Sequence, residues 1–158
     1  MDFGHRGFIY EENVRSFLLV LAPDALAGLD GPVVSERVAS LGDVVPTMLD
    51  ALGHAPARMN GESLWPGAYR PRIAYFFKDT QPPQWGLRDG RWKFIAAQTG
   101  DKQFELYDLQ RDPDEQANMA AIHPDLAAFY DGLCARWYAS AGADFAARSR
   151  HGRQTEMR

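Results

Sequence analysis

The 158-residue sequence has one cysteine, Cys134, which excludes an internal disulfide framework and leaves the redox compartment open. It has no long apolar run. The longest, Phe17 to Ala22, is far too short to cross a bilayer, so no membrane span is expected. No charged leader followed by an apolar stretch is present, so no signal peptide is visible. The net charge of −4 removes the electrostatic case for nucleic acid, which calls for a basic surface. His54, His123 and His151 have no metal-ligand spacing among themselves or with Cys134, so no metal site is expected from them. No internal repeat or long low-complexity segment occurs. What is there is ordinary globular material: 46% hydrophobic and 12% aromatic residues. That is enough for one domain, or for a subdomain plus a strand and helix of a larger one.

The patterning gives the elements. Phe17-Leu18-Leu19-Val20-Leu21 is a short continuous apolar run closed by Ala22-Pro23. It predicts a strand buried on both faces, as in a parallel sheet covered by helices. Asp43 is placed to cap a helix over 44–52, with Val45, Met48, Leu49 and Leu52 on one face and Gly53 stopping it. Ile73 to Phe77 reads as a strand. Residues 86–95 read as a hairpin turning at Asp89-Gly90, and Phe104 to Leu109 as a third segment beside it. Asp112-Pro113-Asp114-Glu115 has the chemistry of a capped helical turn, with Glu115 reaching back to the cap amide. Leu126, Phe129, Tyr130, Leu133 and Trp137 recur at helical spacing and predict a helix over 124–141 that covers one face of the sheet. Residues 148–158, with five basic side chains counting His151, read as a frayed basic tail.

These segments, in order, resemble a known family. "GLRDGRWKFI…FELYDLQRDPDEQANMA…HP" is similar to the C-terminal region of the sulfatases, members of the alkaline-phosphatase-like superfamily. There a G-hydrophobic-R-x-G-x-[WY]-K-[YF] strand pair is followed by LYDLxxDPxExxN. Phe8 to Arg15 with Phe17 to Pro23 resembles the family's "LYEExxRVPLLIxxP". Val38 to Gly53 resembles "xSLVDLAPTLLDLAG", and Gly61 to Pro66 resembles "GxSLxPxL". Four collinear matches cover most of the chain. The implied fold is α/β: a remnant of the alkaline-phosphatase-like parallel sheet, then a small antiparallel sheet packed against a C-terminal helix. The implied divisions are 1–72, the end of the catalytic α/β domain; 73–147, the C-terminal subdomain; and 148–158, the tail.

The family's chemistry lies in motifs that this sequence does not contain. No C/S-x-P-x-R supplies a formylglycine nucleophile: Cys134 is followed by Ala135 and Arg136. No Asp-Asp pair or D-[HN]-G segment supplies metal ligands. The expectation is the C-terminal portion of a sulfatase-like sulfuric ester hydrolase, inactive alone. The divalent metal that the resemblance implies for intact members, calcium, has no ligands expected here. Intact members are often periplasmic, secreted or lysosomal, and the compartment of this chain stays open.

Three residues are candidates for contact with substrate. Family members carry a Lys or His a few residues before the Tyr-Glu-Glu stretch. Arg6 falls where many have Lys, and His5 where a related pattern, G-H-x-x-[FI]-x-Y-E-E-N, has His. A sulfate ester calls for cationic donors around its oxygens and an acid for the leaving alkoxide. His5 can be that acid; Arg6 keeps its proton and can only clamp the oxyanion. The alternative is two polar residues in a terminal loop. Arg88, with Arg91 and Lys93, crowds the hairpin, where cross-strand pairs with Glu105 or Asp108 compete with contact to a sulfated substrate. Glu11 and Glu12, adjacent on an extended segment, point apart and do not share a substrate.

Three function classes follow: a piece of a sulfuric ester hydrolase, a non-catalytic remnant or interaction module, or the C-terminal part of a related phosphodiesterase or phosphonate hydrolase. The expected partner is the N-terminal catalytic part, or a second copy. Strand 17–21 and helix 44–52 would otherwise leave apolar surface in water.

Overall fold

The computed structural model describes residues 8–21, 34–54, 59, 61–65, 71–79, 82–97 and 103–155, with side chains described as far as 141. The chain forms two compact units, 1–14 with 75–158, and 15–74.

The first unit is built on a four-stranded sheet in the order β1 (Ile73–Lys78), β2 (Gln84–Asp89), β3 (Trp92–Ala97), β4 (Gln103–Asp108). β2 pairs antiparallel with β3, and β3 with β4. The hairpin turns one residue later than the sequence reading had it. Asp89 pairs with Trp92, so the loop is Gly90-Arg91. Gly90 adopts φ +48, and glycine at the first central position of a two-residue loop gives the turn twist that strands favour.

Period-two alternation sorts the sheet into two faces. Leu87, Phe94 and Leu106 share one face and are fully buried. A helix, α3 (Pro124–Thr155), covers it. Tyr130 packs its ring 6.1 Å from that of Phe94 and donates its hydroxyl to Asp89 at 2.8 Å. Trp85 Nε1 donates to Asp131 at 3.1 Å, and Tyr75 stacks on Trp137 at 5.1 Å. The buried helix positions are Ala127, Tyr130 and Cys134, a stripe at i, i+3, i+7. The expected stripe was set slightly off. Phe129 faces solvent, and the small Ala127 and Cys134 let the helix approach the sheet. The helix also runs on to Thr155, past 141 and into the segment read as a frayed tail. The alanines at 139, 141, 143, 146 and 147 favour continuation.

The opposite face carries Gly86, Arg88, Lys93, Ile95, Glu105 and Tyr107. The sequence reading left this face without cover. Residues 8–14 cover it: Ile9, Tyr10 and Val14 pack with Phe76, Ile95, Tyr107 and Leu109, and residues 11–14 form one helical turn, α1 (Glu11–Val14). Gly86 makes room for them, because a Cβ there would lie 2.5 Å from the Phe94 carbonyl oxygen and 3.0 Å from Ile9 Cδ1. Two covered faces explain why the middle of β3 is buried without alternation.

The segment after β4 is a loop and not a helical start. Asp112 accepts from the amides of Gln116 and Ala117 at 3.0 and 2.8 Å, and Glu115 takes φ +54, which no helix allows. Asn118 Oδ1 accepts from the Ala120 amide at 2.9 Å. It also bonds the outer edge of β4, accepting from the Leu106 amide and donating to the Phe104 carbonyl, each at 3.1 Å. The Met119 amide adds a bond to the Leu106 carbonyl at 2.7 Å. This blunts an edge that would otherwise pair with another chain.

In the second unit a 3₁₀ turn (Leu41–Asp43) leads into α2 (Val44–Ala51). Asp43 is more than the expected cap. Fully buried, it accepts from the amides of Ser40 and Glu62 at 2.6 and 2.9 Å and is held by both arms of the Arg72 guanidinium. The expected strand over 17–21 is not formed: residues 15–21 have no regular secondary structure, and Phe17, Leu19 and Leu21 are exposed. A parallel strand exists only with neighbours to bond it, and none is offered among the described residues. Val45, Met48 and Leu52 of the predicted apolar face are exposed for the same reason, while α2 buries Pro46 and Thr47.

Candidate functional site

Charged side chains gather where residues 8–14 meet the sheet. Lys93, the second residue of β3, is fully buried. Its ammonium lies 3.0 Å from Glu11 Oε1 and 3.2 Å from Glu115 Oε1, with its nitrogen 5.4 Å from the Phe76 ring centroid. Arg88, the cross-strand neighbour of Lys93, donates to the other Glu11 oxygen at 3.0 Å. The Glu11 amide in turn donates to Glu115 Oε2 at 2.6 Å. Two carboxylates are thus held together by one shared buried ammonium and one guanidinium. Desolvation of this order is tolerable only when each charge has a close partner.

Glu105 extends the cluster. It accepts from the Tyr10 and Tyr107 hydroxyls at 2.8 and 2.7 Å. Burial, then the bond to Glu105, pushes the Tyr10 hydroxyl up to about 12 and that of Tyr107 higher still. Both therefore stay protonated and keep donating at neutral pH. Burial also raises the Glu115 carboxyl, against the opposing pull of the Glu11 amide and Lys93. Asn13 closes the segment on itself, donating to the Phe8 carbonyl at 2.8 Å.

The described carboxylates do not fit a divalent metal. Glu11 and Glu115 already share the ammonium of Lys93, and a second cation beside it would be repelled. No group of three His, Cys, Asp or Glu side chains that could hold a metal occurs among the described residues.

Of the sequence-predicted site residues, His5 and Arg6 lie outside the described residues. Arg88 is half-buried and committed to Glu11, where Glu105 or Asp108 had been expected. Arg91 does pair with Asp108, with Nε donating to Oδ1 at 2.8 Å. Glu11 and Glu12 do face apart, as expected, though on a helical turn, with Glu11 inward and Glu12 exposed. Sequence reasoning missed the joint role of Glu11, Lys93 and Glu115. A lysine flanked by Trp92 and Phe94 in a strand was the available signal, since a charge amid core residues calls for buried partners.

Comparison with known proteins gives consistent matches. The family model described as N-sulphoglucosamine sulphohydrolase, C-terminal, matches residues 2–133. Arylsulfatase K of Mus musculus is 35% identical over 147 residues, covering 80% of this chain and 26% of that protein. N-acetylglucosamine-6-O-sulfatase of Bacteroides thetaiotaomicron is 29% identical over 128 residues, covering 71% and 22%. A crystal structure from Bacteroides thetaiotaomicron assigned to the sulfatases shares the fold with a TM-score of 0.51 at 24% identity, covering 66% of this chain and 25% of that one. The chain spans about a quarter of the length of these relatives.

Proposed function

The chain belongs to the sulfatase family as its C-terminal portion, and from that premise we propose that it completes a sulfuric ester hydrolase whose nucleophile and metal ligands it does not itself supply. In the whole protein His5 would protonate the leaving oxygen and Arg6 would hold the sulfate oxygens. The divalent metal, calcium, would be held by other residues of the whole protein. The observation that supports this reading is the anchoring of residues 8–14. The stretch that resembles the family's Tyr-Glu-Glu motif is fastened by Lys93, Arg88, Glu105 and Glu115, next in sequence to His5 and Arg6. Arg88 serves that anchoring and is available to a substrate only at its exposed part.

By itself the chain should turn over no sulfate ester, because cationic contacts do not replace a covalent nucleophile. The test is a chromogenic aryl sulfate with the purified chain in calcium-containing buffer. No turnover is expected; calcium-dependent turnover by contaminant-free chain would overturn the proposal.

A second reading, that the chain is an interaction module, has its own observation. Leu18 to Leu21, Met48, Leu52 and Trp65 border an open apolar groove of about 390 Å³ within the second unit. Phe17 and Leu19 stand exposed beside it. Such surface in water favours association. In the whole protein the occupant would be the N-terminal catalytic part; the isolated chain should self-associate instead. Light scattering over a concentration series decides: a particle that stays monomeric at high micromolar concentration, with Leu19→Asp making no difference, would refute it.

A further inference from the structure

Glu115 is a polar residue in a surface loop with a conformation that disfavours it. Its φ of +54 lies in the left-handed region, where a residue with a Cβ is held only by surrounding structure. What that conformation achieves is visible in its contacts. The side chain turns back under the sheet and is 5% exposed, with one oxygen against Lys93 and the other accepting from the Glu11 amide at 2.6 Å. That amide is 104 positions away in sequence and opens the one-turn helix α1. A carboxylate at a helix start satisfies an amide with no partner inside the helix.

We propose that Glu115 is a positioning residue for the N-terminal arm that carries His5 and Arg6, acting through the main chain of Glu11. The inference rests on the proposed roles of His5 and Arg6. Glu115 fixes Glu11, and Asn13 ties α1 to the Phe8 carbonyl. His5 and Arg6 precede Phe8 by three and two residues in the sequence. The role is not interchangeable with that of Lys93. Removing Lys93 leaves two buried carboxylates facing each other, whereas removing Glu115 leaves Lys93 still paired with Glu11. Loss of Glu115 should therefore loosen the start of α1, whose Glu11 side chain Lys93 and Arg88 still hold, and spare the fold.

Glu115→Gly is the informative variant, since glycine takes the positive φ at no steric cost and so keeps the loop while deleting the carboxylate. Glu115→Gln keeps an acceptor for the Glu11 amide and serves as the conservative control. Hydrogen exchange is followed on the full chain at the amides of Glu11, Asn13 and Val14, all hydrogen-bonded within this element, and along the β2–β3 ladder. In Glu115→Gly the first three should exchange about tenfold faster or more, as for loss of a charge-assisted bond, with the ladder unchanged and Glu115→Gln in between. Unchanged protection at Glu11, Asn13 and Val14, or equal acceleration along the ladder, would overturn the clamp. On the same samples the His5 imidazole signals, assigned with His5→Ala, are titrated with sodium sulfate against sodium chloride of equal ionic strength. The half-saturating sulfate concentration should rise several-fold in Glu115→Gly. Faster exchange at Glu11, Asn13 and Val14 with an unaltered sulfate response would overturn the positioning role. A wild-type His5 indifferent to sulfate would instead overturn the assignment of His5 and Arg6, with the exchange data deciding the clamp separately.

Discussion

Replacing Lys93 with methionine should strongly destabilise the first unit, and the reason is electrostatic rather than steric. Methionine matches the reach of the lysine stem and packs well against Phe76 and Ile95. What disappears is the cation shared by Glu11 at 3.0 Å and Glu115 at 3.2 Å. At an effective dielectric constant of about 20 each of these attractions is roughly 5 kcal/mol before desolvation. The desolvation of Lys93 itself, several kcal/mol, is recovered in the variant. Removing one partner of a buried pair then costs about 3–5 kcal/mol net, a large share of the roughly 5–15 kcal/mol that holds a domain folded. Arg88 limits the damage on one side only, since it bonds Glu11 and not Glu115. The assay is urea denaturation followed by tryptophan fluorescence. Trp85, Trp92 and Trp137 lie in the first unit and only Trp65 in the second, so the signal reports mainly this sheet. Lys93→Met/Glu115→Gln should recover part of the loss, because it removes one stranded carboxylate. A loss under about 1 kcal/mol at pH 7 would mean that the cluster behaves as an exposed ion pair, and the reasoning would fail.

Two further outcomes follow from the same sheet. Gly86→Ala should destabilise by about 1–3 kcal/mol through overpacking, because its Cβ would meet backbone at 2.5 Å and Ile9 at 3.0 Å. Gly132→Ala in α3 has only the flexible Arg136 at 3.8 Å and should stabilise by about 0.5–1 kcal/mol; paired urea curves check both. The pH dependence has two opposed contributions. Arg91 holds the Asp108 carboxyl below its usual range, so stability from this pair is present above the unfolded pKa and lost as pH falls through the folded one. Burial raises Glu115, so in the window between its unfolded and folded values the folded chain binds the extra proton. Stability from Glu115 therefore rises as pH falls through its folded pKa. Melting curves should show Glu115→Gln gaining less than wild type on acidification from neutral toward the ordinary glutamate range; parallel pH profiles would contradict this sign.

The hairpin, the strand after it, the C-terminal helix and α2 were legible in the sequence because each is specified by local chemistry. A Gly-containing two-residue loop, period-two apolar residues and helical spacing act over ten or twenty residues. What was illegible acts over longer distances. Glu115 follows Asp-Pro-Asp, and every local rule made it the third residue of a capping box. The competing interaction, an amide 104 positions upstream, leaves no trace in the local pattern. Phe17 to Leu21 failed in the opposite way. Its composition is that of a buried parallel strand, but a strand is a property of pairs, and no partner lies among the described residues. Of the candidate site, His5 and Arg6 lie outside the described residues, while Arg88 and Lys93 were read as hairpin surface charges and prove to hold Glu11.

The N-terminal stretch, β3 and the loop after β4 each carry a residue that is unfavourable alone. Glu11 needs two cations to sit against a sheet. Lys93 is a full charge in a strand flanked by aromatics, and Glu115 holds a positive φ and a desolvated carboxylate. Each cost is offset by the others together with Arg88, and the groups come from three separate stretches of the chain that meet on one face of the sheet. This couples the hold on residues 8–14 to the integrity of the sheet, so a substitution at Lys93 should weaken both together. What fastens residues 8–14 to the sheet is one buried lysine and the two carboxylates that it reconciles.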